Sequence, residues 1–203
     1  MLYTRKGDNG TTKTFGCDQR ISKSSAIAEA LGSLDEINSF LGLIKIKSHA
    51  TAGQAEKIIF KLPDREIIVS ETVDSIQQDL FIIQAELAGA EKTISEEKVK
   101  KLEEIIDGIE KILPPIKTFF VSGGVELATL SDVARTIARR AERRVIAVIE
   151  ESKTKISKDP EGKSTSYGAG TMAYLNRLST VLYAFASAFN DFANIKEEKP
   201  KYK

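Results

Sequence analysis

The residues of this chain that stand out chemically are cations and glycines set close together. Near the N-terminus, Tyr3-Thr-Arg-Lys-Gly-Asp-Asn-Gly-Thr-Thr-Lys13 interleaves glycines with hydroxyls and cations. Glycines let backbone N–H groups turn toward an anion, and hydroxyls and cations complete such a cradle. The run is not a Walker loop, which has a different glycine spacing followed by Lys and Ser/Thr. Without a ligand, Gly7-Asp8-Asn9-Gly10 reads as an ordinary turn in a flexible terminus. A second group is Arg135, Arg139, Arg140, Arg143 and Arg144, with Glu142 among them. On a helix, Arg135, Arg139 and Glu142 or Arg143 share one face at i, i+4 and i+7. So many like charges repel unless carboxylates of a neighbouring helix or subunit, or a polyphosphate, neutralise them. The planar guanidinium fork suits both partners, because it bonds two oxygens at once. A solvated charged face is the ordinary alternative. A third group joins Phe119-Phe-Val-Ser-Gly-Gly124 to Tyr174-Leu-Asn-Arg-Leu178. The two glycines allow close approach of backbone to a ligand, or simply a tight turn. Asn176 and Arg177, in an otherwise apolar pattern, need partners or an exposed side.

Other chemistries are excluded by what is missing. There is one histidine, His49, and one cysteine, Cys17. These supply neither a zinc site nor a histidine-based triad, and no metal held by protein side chains is expected. A single cysteine rules out an internal disulfide framework and fits a reducing compartment. With 30 Lys+Arg against 29 Asp+Glu, the chain lacks the basic excess of a general nucleic-acid binder. No apolar run approaches the roughly 20 residues of a membrane span. The first ten residues carry no signal-peptide core. The expectation is a soluble cytoplasmic protein with no nucleic-acid or membrane partner.

The elements that must position these residues are helical. The 203 residues fit one domain, at roughly 100–200 residues per domain. Residues 1–24 read as an extended arm, with a short strand conceivable in 4–14. Ser33 with Glu36 forms a capping box that predicts the start of a first helix, carrying Leu34, Ile37, Leu41 and Ile44. Asp35, Glu36 and Asn38 then read as capping residues. Residues 48–66 look like a long connection. Val73, Ile76, Leu80, Ile83 and Leu87 mark a second helix ending near Gly89. Ser95 caps a third, stopped by Pro114-Pro115. A fourth is predicted over 126–150 and a fifth over 171–194. Residues 152–170 read as an exposed, mobile loop and 196–203 as a charged tail. The reading is therefore all-α: five helices over 25–195 packed as a bundle around one core, with no sheet.

Together these segments resemble the PduO-type ATP:cob(I)alamin adenosyltransferases. The resemblance rests on residues 3–12, Gly32-Ser-Leu-Asp-Glu-Ile-Asn38, Phe119–Gly124, Ala134–Arg144 and Tyr174–Leu178, in the family's order. It implies a ferritin-like five-helix bundle assembled as a homotrimer, with ATP and reduced corrinoid bound between subunits. It implies transfer of the 5′-deoxyadenosyl group of ATP to cob(I)alamin, with Mg²⁺ carried by ATP. Thr4, Arg5, Gly7, Asp8, Gly10 and Thr12 match the triphosphate loop, and Lys23 a basic position after it. Arg139, Glu142 and Asn176 match residues that hold ATP. Asp35 and Arg135 match an inter-subunit ion pair. Phe119 matches the aromatic at the corrinoid's lower face, and with Arg139 forms the implied catalytic pair. A cobalamin reductase and a B12-dependent enzyme are the implied further partners. The chain departs from the family at Ser122, where proline is usual, at Thr14-Phe15, and in the longer stretch from Ser152 to Gly170. The competing reading is an ATP-binding regulatory or structural helical oligomer. ATP consumption with triphosphate release separates it from the transferase.

Overall fold

The computed structural model describes residues 3–14, 19–49, 57–115, 118, 120–156 and 168–202. Five helices dominate it: α1 Ala26–Ser48, α2 Val69–Leu87, α3 Glu96–Ile112, α4 Glu126–Ile156 and α5 Ala169–Phe192. Two antiparallel hairpins accompany them, β1 (Thr11–Thr12) with β2 (Ile21–Ser22) and β3 (Ile59–Lys61) with β4 (Glu66–Ile68). The helical bundle agrees with the sequence, and the hairpins are additions to it.

The helices pack in the order α2–α1–α4–α5–α3. Polar contacts from α2 to α5 and α3 close the ring. Tyr174 donates to Asp79 Oδ2 at 2.9 Å, Lys98 pairs with Asp79 Oδ1, and Thr171 donates to Glu86. The apolar stripes meet inside: Leu34, Ile37, Leu41 and Ile44 of α1 against Val73, Ile76, Leu80 and Ile83 of α2, all buried. On α4, Ala134, Ala138 and Ala141 are fully buried. Their small side chains let α1 and α5 approach closely on either side, in keeping with dense interior packing. Tyr174 is fully buried, and burial, then the Asp79 carboxylate, pushes its hydroxyl far above the usual tyrosine range.

Three expectations are corrected in detail. First, α1 begins at Ala26, capped by Ser25, whose Oγ accepts from Ala28 N–H at 3.4 Å. Ser33 lies inside the helix and returns its hydroxyl to the Glu29 carbonyl at 2.8 Å. Asp35, Glu36 and Asn38 are interior too. The run Ala26–Leu31 is made mostly of good helix formers, so nothing stops the helix there. Second, the connection 48–66 contains strand β3 and the first residue of β4, joined by a turn at Pro63-Asp64. Phe60 is buried from this hairpin, with its ring 5.2 Å from Phe189 and 5.7 Å from Phe185. Leu62 presses on α3 where Gly108 has no side chain; a Cβ there would lie 2.3 Å from Leu62 Cδ1. Third, α4 runs to Ile156, past the expected end. Of the rest of the expected loop, 157–167 lie outside the described residues, and Ala169-Gly170 already belong to α5, with Gly168 at its cap. No helix is long and apolar enough to cross a membrane, among the described residues.

Candidate functional site

The arm folds on itself. Arg5 has φ 58° and Gly10 φ 76°, and the bonds Asp8 N–H to Arg5 O and Gly10 N–H to Gly7 O, both 3.2 Å, close two turns. β1 then pairs with β2, and Lys23 N–H donates to Gly10 O at 2.9 Å. This brings the Lys23 ammonium 3.2 Å from where a Cβ on Gly7 would stand. Thr4, Arg5, Gly7, Asp8, Gly10, Thr12 and Lys23, scattered over 20 positions of sequence, therefore belong to one small structure. Arg20 braces it: its Nε donates to Thr11 Oγ1 at 2.7 Å and its Nη2 to the Thr11 carbonyl at 2.8 Å. Sequence reasoning missed Arg20, which stands in no recognisable motif. The Arg5 guanidinium lies 5.5 Å from the Tyr3 ring centroid.

The second part of the site is the α4–α5 face. Asn176 Nδ2 donates to Glu142 Oε1 at 3.1 Å, and Arg177 Nη1 donates to Asn176 Oδ1 at 2.8 Å. Arg177 also donates to Glu103 of α3 at 2.9 Å, which answers the expectation that this pair needs partners. A turn away, Arg135 and Arg139 line a cavity of about 560 Å³. Thr180 and Tyr183 of α5, Phe120 and Ser122 of the preceding loop, and Glu197 of the tail face them across it. Burial, and next the Glu197 carboxylate, raise the Tyr183 hydroxyl above its ordinary value. Tyr183, Thr180 and Glu197 were not singled out from the sequence. The helical spacing Asn176–Thr180–Tyr183 was the available signal. Phe119 itself lies outside the described residues, although Thr118 and Phe120 on either side of it line this cavity.

The arginines of α4 divide. Arg140 pairs with Glu36 and Arg144 with Glu29, both on α1. Arg135 Nε bonds Asp132 one turn back at 3.1 Å. Among the described residues, no carboxylate lies within 4.0 Å of Arg139 or Arg143, and both are exposed. Arg139 thus presents an unneutralised guanidinium at the rim of a cavity with an aromatic wall. Such a group bonds an oxyanion well.

One chain does not bring every candidate together. Asp35 accepts from Gln84 Nε2 at 2.7 Å on the α2 side, while Arg135 stands on the α5 side, and the two are not paired here. Nor are Thr4, Gly7, Gly10, Thr12 or Lys23 bonded to α4 or α5 among the described residues.

A family model described as cobalamin adenosyltransferase matches residues 2–189 of the chain. Corrinoid adenosyltransferase PduO of Salmonella typhimurium is 34% identical over 99% of this chain, which spans 54% of that protein. This chain thus corresponds to about half the length of that relative. Corrinoid adenosyltransferase of Bacillus subtilis is 35% identical over 93% of this chain and 86% of its own length. Among solved structures, a variant PduO-type ATP:corrinoid adenosyltransferase from Lactobacillus reuteri, complexed with cobalamin and ATP, matches with TM-score 0.77. It is 27% identical, with 100% of both chains covered.

Proposed function

We propose that this chain, which belongs to the cobalamin adenosyltransferase family, transfers the 5′-deoxyadenosyl group of ATP to the cobalt of cob(I)alamin. The observation that carries the reading is Arg139, with no carboxylate within 4.0 Å among the described residues, at the rim of a cavity walled by Phe120 and its loop. In the reaction, the Co(I) electron pair attacks C5′ of ATP and forms the cobalt–carbon bond. The C5′–oxygen bond breaks, and its electrons leave with triphosphate. The nucleophile belongs to the corrinoid substrate, so the protein supplies position and electrostatics. Arg139 stabilises charge on the leaving triphosphate, with the glycine arm around Lys23 as the second cationic cradle. Glu142 and Asn176, already bonded to each other, are assigned to ATP. Phe119 is assigned to the corrinoid's lower face, where it displaces the axial ligand and eases formation of Co(I).

Among the described residues, Thr4, Gly7, Gly10, Thr12 and Lys23 are not bonded to α4 or α5, which supports a site completed by a neighbouring copy. We therefore read the protein as a homotrimer with Asp35 of one subunit paired to Arg135 of the next. No group of three or more His, Cys, Asp or Glu is placed to hold a metal ion, among the described residues. Mg²⁺ is read as carried by the phosphate oxygens of ATP, and the step above needs no protein ligand for it. A cobalamin reductase upstream, a B12-dependent enzyme downstream and a cytoplasmic setting complete the proposal.

The test is an anaerobic assay with ATP and chemically reduced cob(I)alamin, followed by its visible spectrum. The transferase reading expects loss of the cob(I)alamin bands, growth of an alkylcobalamin spectrum and release of triphosphate. ATP binding without either product would leave the regulatory reading standing.

A further inference from the structure

Asn190 lies in the last turns of α5, only 4% exposed, and belongs to neither the arm nor the arginine face. Its Oδ1 accepts from Val125 N–H at 3.1 Å. Its Nδ2 donates to the Gly123 carbonyl at 3.0 Å and to Glu197 Oε1 at 3.2 Å. Its own carbonyl accepts from Ile195 N–H at 2.9 Å, where Asn194 at φ 53° turns the chain back. Further along the tail, the Glu198 carbonyl accepts from Val121 N–H at 2.8 Å. One buried carboxamide therefore holds the Gly123–Gly124 loop, the residue that opens α4 and the returning tail. Gly124 makes room for it. With φ 102°, its backbone is one that side chains disfavour, and a Cβ there would lie 2.0 Å from Asn190 Oδ1. The segments so joined contribute Phe120, Ser122 and Glu197 to the cavity that Arg135 and Arg139 line.

We propose that Asn190 is a positioning residue whose carboxamide clamps the aromatic loop and the C-terminal segment into one wall of the cavity, fixing where Phe120 stands relative to the α4 arginines. The consequence for catalysis rests on the transferase reading; the clamp itself does not. The side-chain chemistry is specific. An amide both accepts and donates, whereas a carboxylate in its place keeps the bond from Val125, loses the donation to Gly123 and confronts Glu197 with a like charge. Changing Glu197 to Gln in that background removes the like charge and restores a donor between the two side chains.

The experiment uses the full chain and three variants: Asn190→Ala, Asn190→Asp, and Asn190→Asp with Glu197→Gln. Amide exchange reads the clamp without turnover. Protection at Val125 is expected to fall about tenfold in Asn190→Ala, which removes its acceptor, and protection at Val121 to fall similarly in both single variants as the tail comes loose, while amides in the middle of α1 keep theirs. In steady state, KM for cob(I)alamin should rise roughly tenfold while KM for ATP stays within about twofold, and the double variant should recover most of the loss. Unchanged protection at Val121 and Val125 in Asn190→Ala overturns the proposal. So does an equal rise of both KM values, or a double variant no better than Asn190→Asp. If the Asn190 variants do not fold, Glu197→Ala replaces them. Its protection at Val121 should fall a few-fold, and no change there is equally fatal. A wild-type chain without transfer activity defeats the transferase reading alone, and the exchange data then decide the clamp.

Discussion

Arg139 and Arg140 are neighbours in sequence and differ in everything around them. Arg140 and Arg144 lie on the side of α4 that faces α1 and meet Glu36 and Glu29 there. Arg139 lies toward α5, with Ser179, Thr180 and Tyr183 around the same cavity and no carboxylate within 4.0 Å among the described residues. On one side a guanidinium is neutralised within the subunit and helps join two helices. On the other its donors remain open to a ligand or to a second copy. A run of arginines is therefore two devices, separated by about 100° of rotation on one helix.

The most severe way to break this comparison is at Arg135, which stands on the cavity side and is assigned to the subunit interface. Arg135→Ala should convert the assembly to smaller species and abolish transfer with it. Truncating one partner of a buried interfacial charge pair costs about 2–5 kcal/mol. Sedimentation velocity decides the matter: a variant that sediments like wild type removes Arg135 from the interface. Next in size is Arg139→Ala. A charge-assisted contact is worth roughly 1.5–3 kcal/mol, so kcat/KM should drop about one to two decades with little change in melting temperature. A drop in melting temperature with unaltered kinetics would place Arg139 with the structural arginines.

Phe119→Ala sharpens the assignment of the cavity wall. ATP affinity by calorimetry should stay near wild type, while bound cob(II)alamin no longer gives a four-coordinate spectrum. Turnover starting from Co(II) should slow roughly tenfold, about 1.4 kcal/mol on the barrier. Preformed Co(I) should rescue much of the loss, since it has already shed its lower ligand. If Phe119→Ala weakens ATP as much as Arg139→Ala and retains the four-coordinate spectrum, the wedge is another residue. Tyr174→Phe probes the opposite side of α5, where polar groups serve the fold. Removing the hydroxyl bonded to Asp79 should cost about 1–2 kcal/mol of stability with no change in KM for ATP. The same substitution should alter the alkaline limb of stability. The folded state keeps the Tyr174 proton above the usual value of 10.0 at which the unfolded chain loses it. Stability is thus intact below that pH and falls as pH rises past it, because the unfolded state then binds fewer protons. A wild-type pH profile superimposable on that of Tyr174→Phe would refute this account.

The same contrast explains what was readable in the sequence. α3 was legible because Ser95 and Pro114-Pro115 punctuate it at both ends. α5 was legible because its apolar positions repeat without interruption. The start of α1 was misplaced because Ser33 and Glu36 have the spacing of a capping box, yet a serine inside a helix can return its hydroxyl to the preceding turn, as Ser33 does to Glu29. Strands β3 and β4 escaped because three residues are too few for alternation to register. The candidate site was legible as an arginine run and a glycine arm. Its division was not, since the carboxylates that engage Arg140 and Arg144 lie more than 100 positions away in sequence. Asn190 was hidden for the same reason: its partners Gly123 and Val125 precede it by 67 and 65 residues.

The smallest expected effect belongs to Arg140. Its ion pair with Glu36 is roughly half exposed on both sides, with side-chain accessibilities of 45% and 49%. Solvent screens such a pair, and ordering two long side chains offsets part of the Coulomb attraction, so its contribution is about 0–1 kcal/mol. Arg140→Ala should lower stability by no more than that, and the loss should shrink further in high salt. Kinetics with ATP and cob(I)alamin should stay within about twofold of wild type, since a twofold change is only ~0.4 kcal/mol. The control is Glu36→Gln, which removes the same charge pair from the α1 side. If the pair is the whole of the matter, the two variants lose equal stability and the double variant loses no more than either. A large kinetic defect in Arg140→Ala without one in Glu36→Gln would mean that Arg140 reaches the ligand of a neighbouring subunit. The two faces of α4 would then share one task.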